Sequence, residues 1–112
     1  MKLPELMQRQ AIKRLDHFCQ QAAQDHRHPR RLQYGIEGQQ VNLFEVRLSS
    51  CGQKSQQIPV AQIRYSPQLN QWTLHYQNGR HWQLYLNVNP SLDLDKLLAA
   101  LRQDPMGCFW SD

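Results

Sequence analysis

The hydrophobic period of this chain changes twice along its length, and that pattern limits its fold more tightly than any other feature. Over residues 4–23 the apolar residues Met7, Ala11, Leu15, Phe18 and Ala22 recur at steps of four, four, three and four, with Ile12 and Cys19 alongside. That spacing predicts one helix with a single buried stripe. Pro4 suits its first turn, and Glu5 and Arg9 form an i,i+4 pair on its polar side. Between residues 32 and 86 no helical period survives and strand-like segments take over. From about Leu92 to Gln103 the helical spacing returns: Leu94, Leu97, Leu98 and Leu101 make a stripe, Ser91 or Asp93 can cap it, and Asp93 and Asp95 favour its first turn. Asp104-Pro105 stops this helix and Gly107 turns the chain. Phe109-Trp110 is too apolar to trail in water and is expected to fold back onto the core. Helix, strands, then helix predicts an α+β fold: an N-terminal helix, an antiparallel meander of about five strands, and a C-terminal helix packed on one sheet face.

The five strand-like segments are Leu32–Ile36, Val41–Leu48, Ile58–Tyr65, Trp72–Tyr76 and His81–Leu86. Val41–Leu48 is apolar on both faces, which predicts the central strand. Pro59 predicts a strand start or an edge for the third segment, and residues 49–55 read as a polar loop. Asn78-Gly79 suggests a two-residue turn. That turn would set Leu74 against Gln83 and Trp72 against Tyr85, splitting the large apolar residues between faces. A three-residue loop, Gln77-Asn78-Gly79 with Gly79 left-handed, instead pairs Leu74 with Trp82 and Trp72 with Leu84, gathering them on one face. It also sets His75 opposite His81.

At 112 residues, 40% hydrophobic and 20% charged, the chain is expected to form one domain, residues 1–112, with a core that needs no disulfide or metal. Seventeen glutamines are dispersed among apolar residues, giving a polar surface and not a low-complexity tract. Three widely spaced cysteines fit a reducing compartment. Nothing resembles a signal peptide or approaches the ~20 apolar residues of a membrane span, so a soluble, cytoplasmic protein with no membrane association is expected. The net charge of +4 lies wholly in residues 1–56, which hold nine Lys+Arg and five Asp+Glu. Within them, Asp25–Arg31 is a basic linker with no apolar residue.

Several chemistries can be weighed on these residues. His17, Cys19, His26 and His28 are close in sequence, but His17 and Cys19 point about 200° apart on a helix and no Cys-x-x-Cys exists, so no metal is assigned. Cys51, Cys19 and Cys108 lack the setting of an activated thiolate, and no catalytic residue or cofactor is assigned. Glu5, Glu37 and Glu45-Val46-Arg47 loosely match a PD-(D/E)xK metal-dependent nuclease, with Arg in place of the Lys that chemistry prefers. Arg9, Lys13, Arg14, Arg27, Arg30 and Arg31 are the candidate phosphate-binding set, with Tyr34, Tyr65 and Tyr85 as stacking platforms if their faces are open. Glu45, Gln62 and Arg64 lie in strands and are read as structural polar residues, Glu45 and Arg64 forming a cross-strand ion pair.

Leu43-Phe44-Glu45, Pro59-Val60-Ala61-Gln62-Ile63-Arg64-Tyr65, Trp72-Thr73-Leu74, Leu92-Asp93 with Leu97-Leu98, and Asp104-Pro105-Met106-Gly107-Cys108-Phe109-Trp110 together resemble a family of small bacterial proteins known only as domain of unknown function 3024. The chain departs from that pattern at Val46-Arg47, where Arg-Pro is common. The resemblance implies a bacterial, cytoplasmic, single-domain protein and carries no activity. The function expected is a small non-enzymatic interaction module, with a homodimer through the polar sheet face or an edge strand as one form. The alternative is a nucleic-acid-binding protein using residues 9–31, and the third reading is the nuclease.

Overall fold

The computed structural model describes residues 3–48 and 55–110. The elements run α1 (Glu5–Ala23), β1 (Leu32–Glu37), β2 (Gln40–Leu48), β3 (Ser55–Ser66), β4 (Gln71–Asn78), β5 (His81–Leu84) and α2 (Leu94–Gln103). The strands form one antiparallel sheet in the order β1-β2-β3-β4-β5. The fold is therefore the α+β arrangement that the changing period predicts. No described helix is long and apolar enough to cross a membrane.

Both helices lie on one face of the sheet. Ala11, Leu15 and Phe18 of α1 and Leu94, Leu97, Leu98 and Leu101 of α2 are buried against Val41, Leu43, Ala61, Ile63, Trp72 and Leu74. Asp93 caps α2, its carboxylate accepting from the Asp95 N–H at 3.0 Å. At the other end Asp104 adopts a left-handed conformation, φ 39°, which ends the helix and swings Phe109 back into the core, where it is 5% exposed.

One strand assignment needs correction and another is narrowed. The centre of the sheet is β3, not β2. The apolar second face of β2 is real, but Phe44 and Val46 are only half-buried on it. Pro59 is not a strand start: it lies within β3, opposite Phe44, at a register shift between Leu43 and Phe44. The other side of this stretch of β3 has no paired strand among the described residues, the edge setting that the missing N–H of Pro59 calls for. A bulge tolerates a missing N–H, and β4 begins to pair with β3 only at Gln62. Of the expected polar loop, residues 49–54 lie outside the described residues, and Ser55 already belongs to β3.

The hairpin register also differs from expectation. Gly79 is left-handed, φ +65°, but the loop is Gly79-Arg80, with Asn78 opposite His81, Gln77 opposite Trp82 and His75 opposite Leu84. Glycine at the first position of a two-residue loop suits a type II′ turn. Leu74 consequently meets Tyr85, whose N–H donates to the Leu74 carbonyl at 2.8 Å. Tyr85 wins the core position because Phe109 provides an edge-to-face partner, ring centroids 4.9 Å apart. Trp82 and Leu84 go to the opposite, uncovered face, and His75 does not face His81.

Candidate interaction surface

Strand alternation puts Asn42, Gln62, Arg64, Thr73 and His75 on the face that carries no helix, since their neighbours Val41, Ile63 and Leu74 point into the core. Cross-strand register lines up Gly35, Asn42, Gln62, His75 and Leu84 in one row. The Gln62 amide donates to Asn42 Oδ1 at 2.9 Å, and Arg64 Nε donates to Gln62 Oε1 at 2.6 Å. Thr73 Oγ1 and His75 Nε2 are 2.9 Å apart. Gln62 and His75 are only 5% and 7% exposed, so the centre of this bare face is an ordered polar ladder. Trp82, half-buried, and Leu84, exposed, border it.

Burial and the neighbouring Arg64 guanidinium push His75 down to about 4, and its Nδ1 has no hydrogen-bond partner among the described residues. The imidazole is therefore neutral when the protein is folded at neutral pH. Between pH 6.5 and 4 the unfolded chain binds a proton at this position that the native protein excludes, so stability rises with pH across that window. Lowering the pH from 7 to 4 is expected to remove about 2–3 kcal/mol through His75. Urea melts of wild type and His75→Gln at pH 7, 5.5 and 4 measure it. Parallel pH dependences of the two proteins would refute it.

The helix-bearing side holds a second polar cluster at its rim. Glu45 shares the parity of Val41 and Leu43 and so points beneath the helices. Its carboxylate accepts from Arg30 Nη1 at 3.4 and 3.5 Å and from Arg47 Nη2 at 3.0 Å. The Arg30 guanidinium also lies 4.4 Å from the Trp110 ring centroid, a cation–π contact. Trp110 is held in turn by its indole N–H, which donates to the Leu101 carbonyl at 3.0 Å. The Asp104 carboxylate accepts from the backbone N–H groups of Cys108, Phe109 and Trp110. Beside this cluster a cavity of about 440 Å³ is lined by Phe18, Ala22, His28, Arg30, Arg102 and Trp110.

The expected Glu45–Arg64 ion pair therefore does not form. The two side chains point to opposite faces, and each has other partners, Arg30 and Arg47 for Glu45 and Gln62 for Arg64. The nuclease set separates for the same reason. Glu37 stands on the open face, Glu45 on the helix side, and Glu5 pairs with Arg9 along α1.

The basic set is also divided. Arg9 pairs with Glu5, Arg14 with Asp95, and Arg30 with Glu45. Lys13, Arg27 and Arg31 are exposed. The tyrosines are not open platforms. Tyr65 and Tyr85 are core residues, 8% and 3% exposed, and half-buried Tyr34 donates its hydroxyl to Asp16 at 2.5 Å. His17, His26, His28 and His81 are exposed, and no three His, Cys, Asp or Glu side chains converge among the described residues. Burial, reinforced by Asp16, pushes the Cys19 thiol up to about 11, and Cys51 lies outside the described residues.

The family described as Domain of unknown function (DUF3024) matches residues 3–111. The chain belongs to this family. No curated protein and no solved structure matches it. Among the residues that carry the DUF3024 resemblance, Gln62 and Arg64 build the open-face ladder, Glu45, Asp104 and Trp110 fasten the C-terminal segment beneath the linker, and most of the apolar ones fill the core. In the sequence alone, Arg30 belongs to the phosphate-binding set and Asp104 is a helix stop. The three amide donors that Asp104 gathers follow it within six residues, a short return that an acidic residue before Pro-x-Gly can signal.

Proposed function

We propose that this chain is a small, non-enzymatic interaction module of the bacterial cytoplasm, acting by presenting its sheet to another protein chain, with a homodimer as one such assembly. One observation carries the reading. A five-stranded sheet has both helices on one face, which leaves an ordered polar ladder on the other and, among the described residues, the outer edge of β1 unpaired. Antiparallel sheets can leave one face to water, but a face this ordered and an edge this accessible suit recognition. The divergence of Glu37 and Glu45 argues against metal-dependent cleavage. The free thiols Cys19 and Cys108 suit a reducing compartment.

Nucleic acid is the less favoured partner, because three of the six candidate cations already have acidic partners in the fold. The reading is tested on purified protein by light scattering together with the ratio of absorbance at 260 and 280 nm, at low and high salt. We expect no copurifying nucleic acid and a mass above that of one chain. Nucleic acid that copurifies at low salt, and is lost on changing Lys13, Arg27 and Arg31 to Ala, would overturn it in favour of the basic-surface alternative.

A further inference from the structure

The β1 strand is a free edge that lacks the usual protections. It has six residues, Leu32-Gln33-Tyr34-Gly35-Ile36-Glu37, with no proline, no lysine and no inward-pointing charge, whereas the opposite edge, β5, is blunted by being only four residues long. The Val46 N–H donates to the Arg31 carbonyl at 2.8 Å, which fixes the phase of the β1–β2 ladder. Counting in twos from Arg31, residues Gln33, Gly35 and Glu37 turn their backbone groups toward β2, and Leu32, Tyr34 and Ile36 turn theirs outward. Among the described residues no backbone hydrogen bond uses those outward groups.

The charges around this edge are self-complementary. Arg31 and Glu37 are both exposed, and among the described residues neither side chain has a hydrogen-bond or ion-pair partner. They stand symmetrically about Tyr34, three residues to either side. We propose that two copies of this chain join through the outer edge of β1, in antiparallel register centred on Tyr34, to make one continuous sheet. The inference rests on the protein-interaction reading above and names its surface and its partner.

In that register each Tyr34 exchanges both backbone hydrogen bonds with its counterpart, and each Leu32 does so with the other copy's Ile36. Every outward-pointing group on the strand is satisfied, as in β-strand addition generally. Slipping the register by two residues in either direction leaves some of them unpaired. The helices of both copies fall on the same side of the joined sheet, where Leu32 meets Ile36 and the exposed Ile12 of α1, whose carbonyl is 3.5 Å from the Tyr34 hydroxyl, flanks the seam. On the open side Arg31 of each copy stands opposite Glu37 of the other, and Gly35 leaves room for the facing Gln33.

Charge reversal on the full-length protein tests this pairing. Wild type is expected at twice the 13.3 kDa chain mass by light scattering. Arg31→Glu alone sets Glu against Glu at both ends of the seam, and Glu37→Arg alone sets Arg against Arg. Each single variant is expected to dissociate about 10- to 100-fold more readily. An equimolar mixture of the two restores both opposite-charge contacts and is expected to regain the wild-type mass, as is the double variant. Circular dichroism checks that each variant stays folded. A wild type that remains at the mass of one chain at high concentration overturns the inference and removes the homodimer from the broader reading. A dimer that ignores both reversals overturns the β1 register alone and leaves the interaction module standing on another surface.

Discussion

Glu45→Ala is expected to lower the free energy of unfolding by about 3–5 kcal/mol and the melting temperature by roughly 10–20 °C. The side chains of Glu45 and Arg30 are only 10% and 13% exposed, so removing the carboxylate takes a charged acceptor from a guanidinium that water reaches poorly. Arg47, at 38% exposed, can turn toward solvent and adds little to the loss. The cost lies in the weaker compensation of a buried charge more than in the attraction itself, because desolvating both partners has already cancelled much of that attraction. Two further variants follow from this. Glu45→Gln, which keeps an acceptor and the shape, is expected to cost about 1–2 kcal/mol. Replacing both partners, Glu45→Leu with Arg30→Met, is expected to recover most of the stability lost by Glu45→Ala. Urea unfolding monitored by circular dichroism checks all three. A loss below about 1 kcal/mol for Glu45→Ala would show that the cluster is hydrated like a surface ion pair.

How much of this fold is legible in the sequence differs from element to element, for physical reasons. The helices are, because their signals are local: the Leu94, Leu97, Leu98 and Leu101 stripe, and the Asp93 cap, need nothing from the rest of the chain. The side on which Glu45 lies can also be read, since it alternates with Val41 and Leu43. The identity of its partner cannot. Arg30 arrives from the linker, whose path is set by tertiary contacts such as the Arg30 N–H donating to the Ala22 carbonyl at 3.0 Å. The β4–β5 register escapes local reading for a similar reason. Counting apolar residues within the hairpin favours Leu74 opposite Trp82, but Phe109, 24 residues beyond Tyr85 in the chain, supplies the aromatic contact that draws Tyr85 inward. The free β1 edge follows from strand order, and the antiparallel meander expected from the sequence already places its first strand at an edge. The open-face ladder depends on both register and parity, so an error of one residue at either hairpin hides it.

Asp104→Ala is expected to destabilise the protein by about 3–5 kcal/mol and to loosen residues 105–110 before the rest of the fold gives way. Two effects combine. The Asp104 backbone is left-handed, φ 39°, which alanine adopts at a cost of about 1 kcal/mol or more. The carboxylate matters more, because it accepts from the N–H groups of Cys108, Phe109 and Trp110 at 2.8, 3.2 and 3.3 Å. Without it, amides that frame the buried Phe109 lose a charged acceptor. Asp104→Gly tells the two effects apart: glycine is comfortable at this φ, so its cost reports the carboxylate alone, about 2–4 kcal/mol. Asp104→Asn keeps one acceptor oxygen and tolerates the left-handed backbone, and is expected to lose least. Released from its amide tether, Trp110 would also leave the Arg30 guanidinium, so the mutation reaches the Glu45 cluster through the cation–π contact. Fluorescence and near-ultraviolet circular dichroism should therefore change at denaturant concentrations where the far-ultraviolet signal is still native. If Asp104→Gly proves as stable as wild type, the carboxylate does not hold the C-terminal segment, and packing of Phe109 alone fastens it.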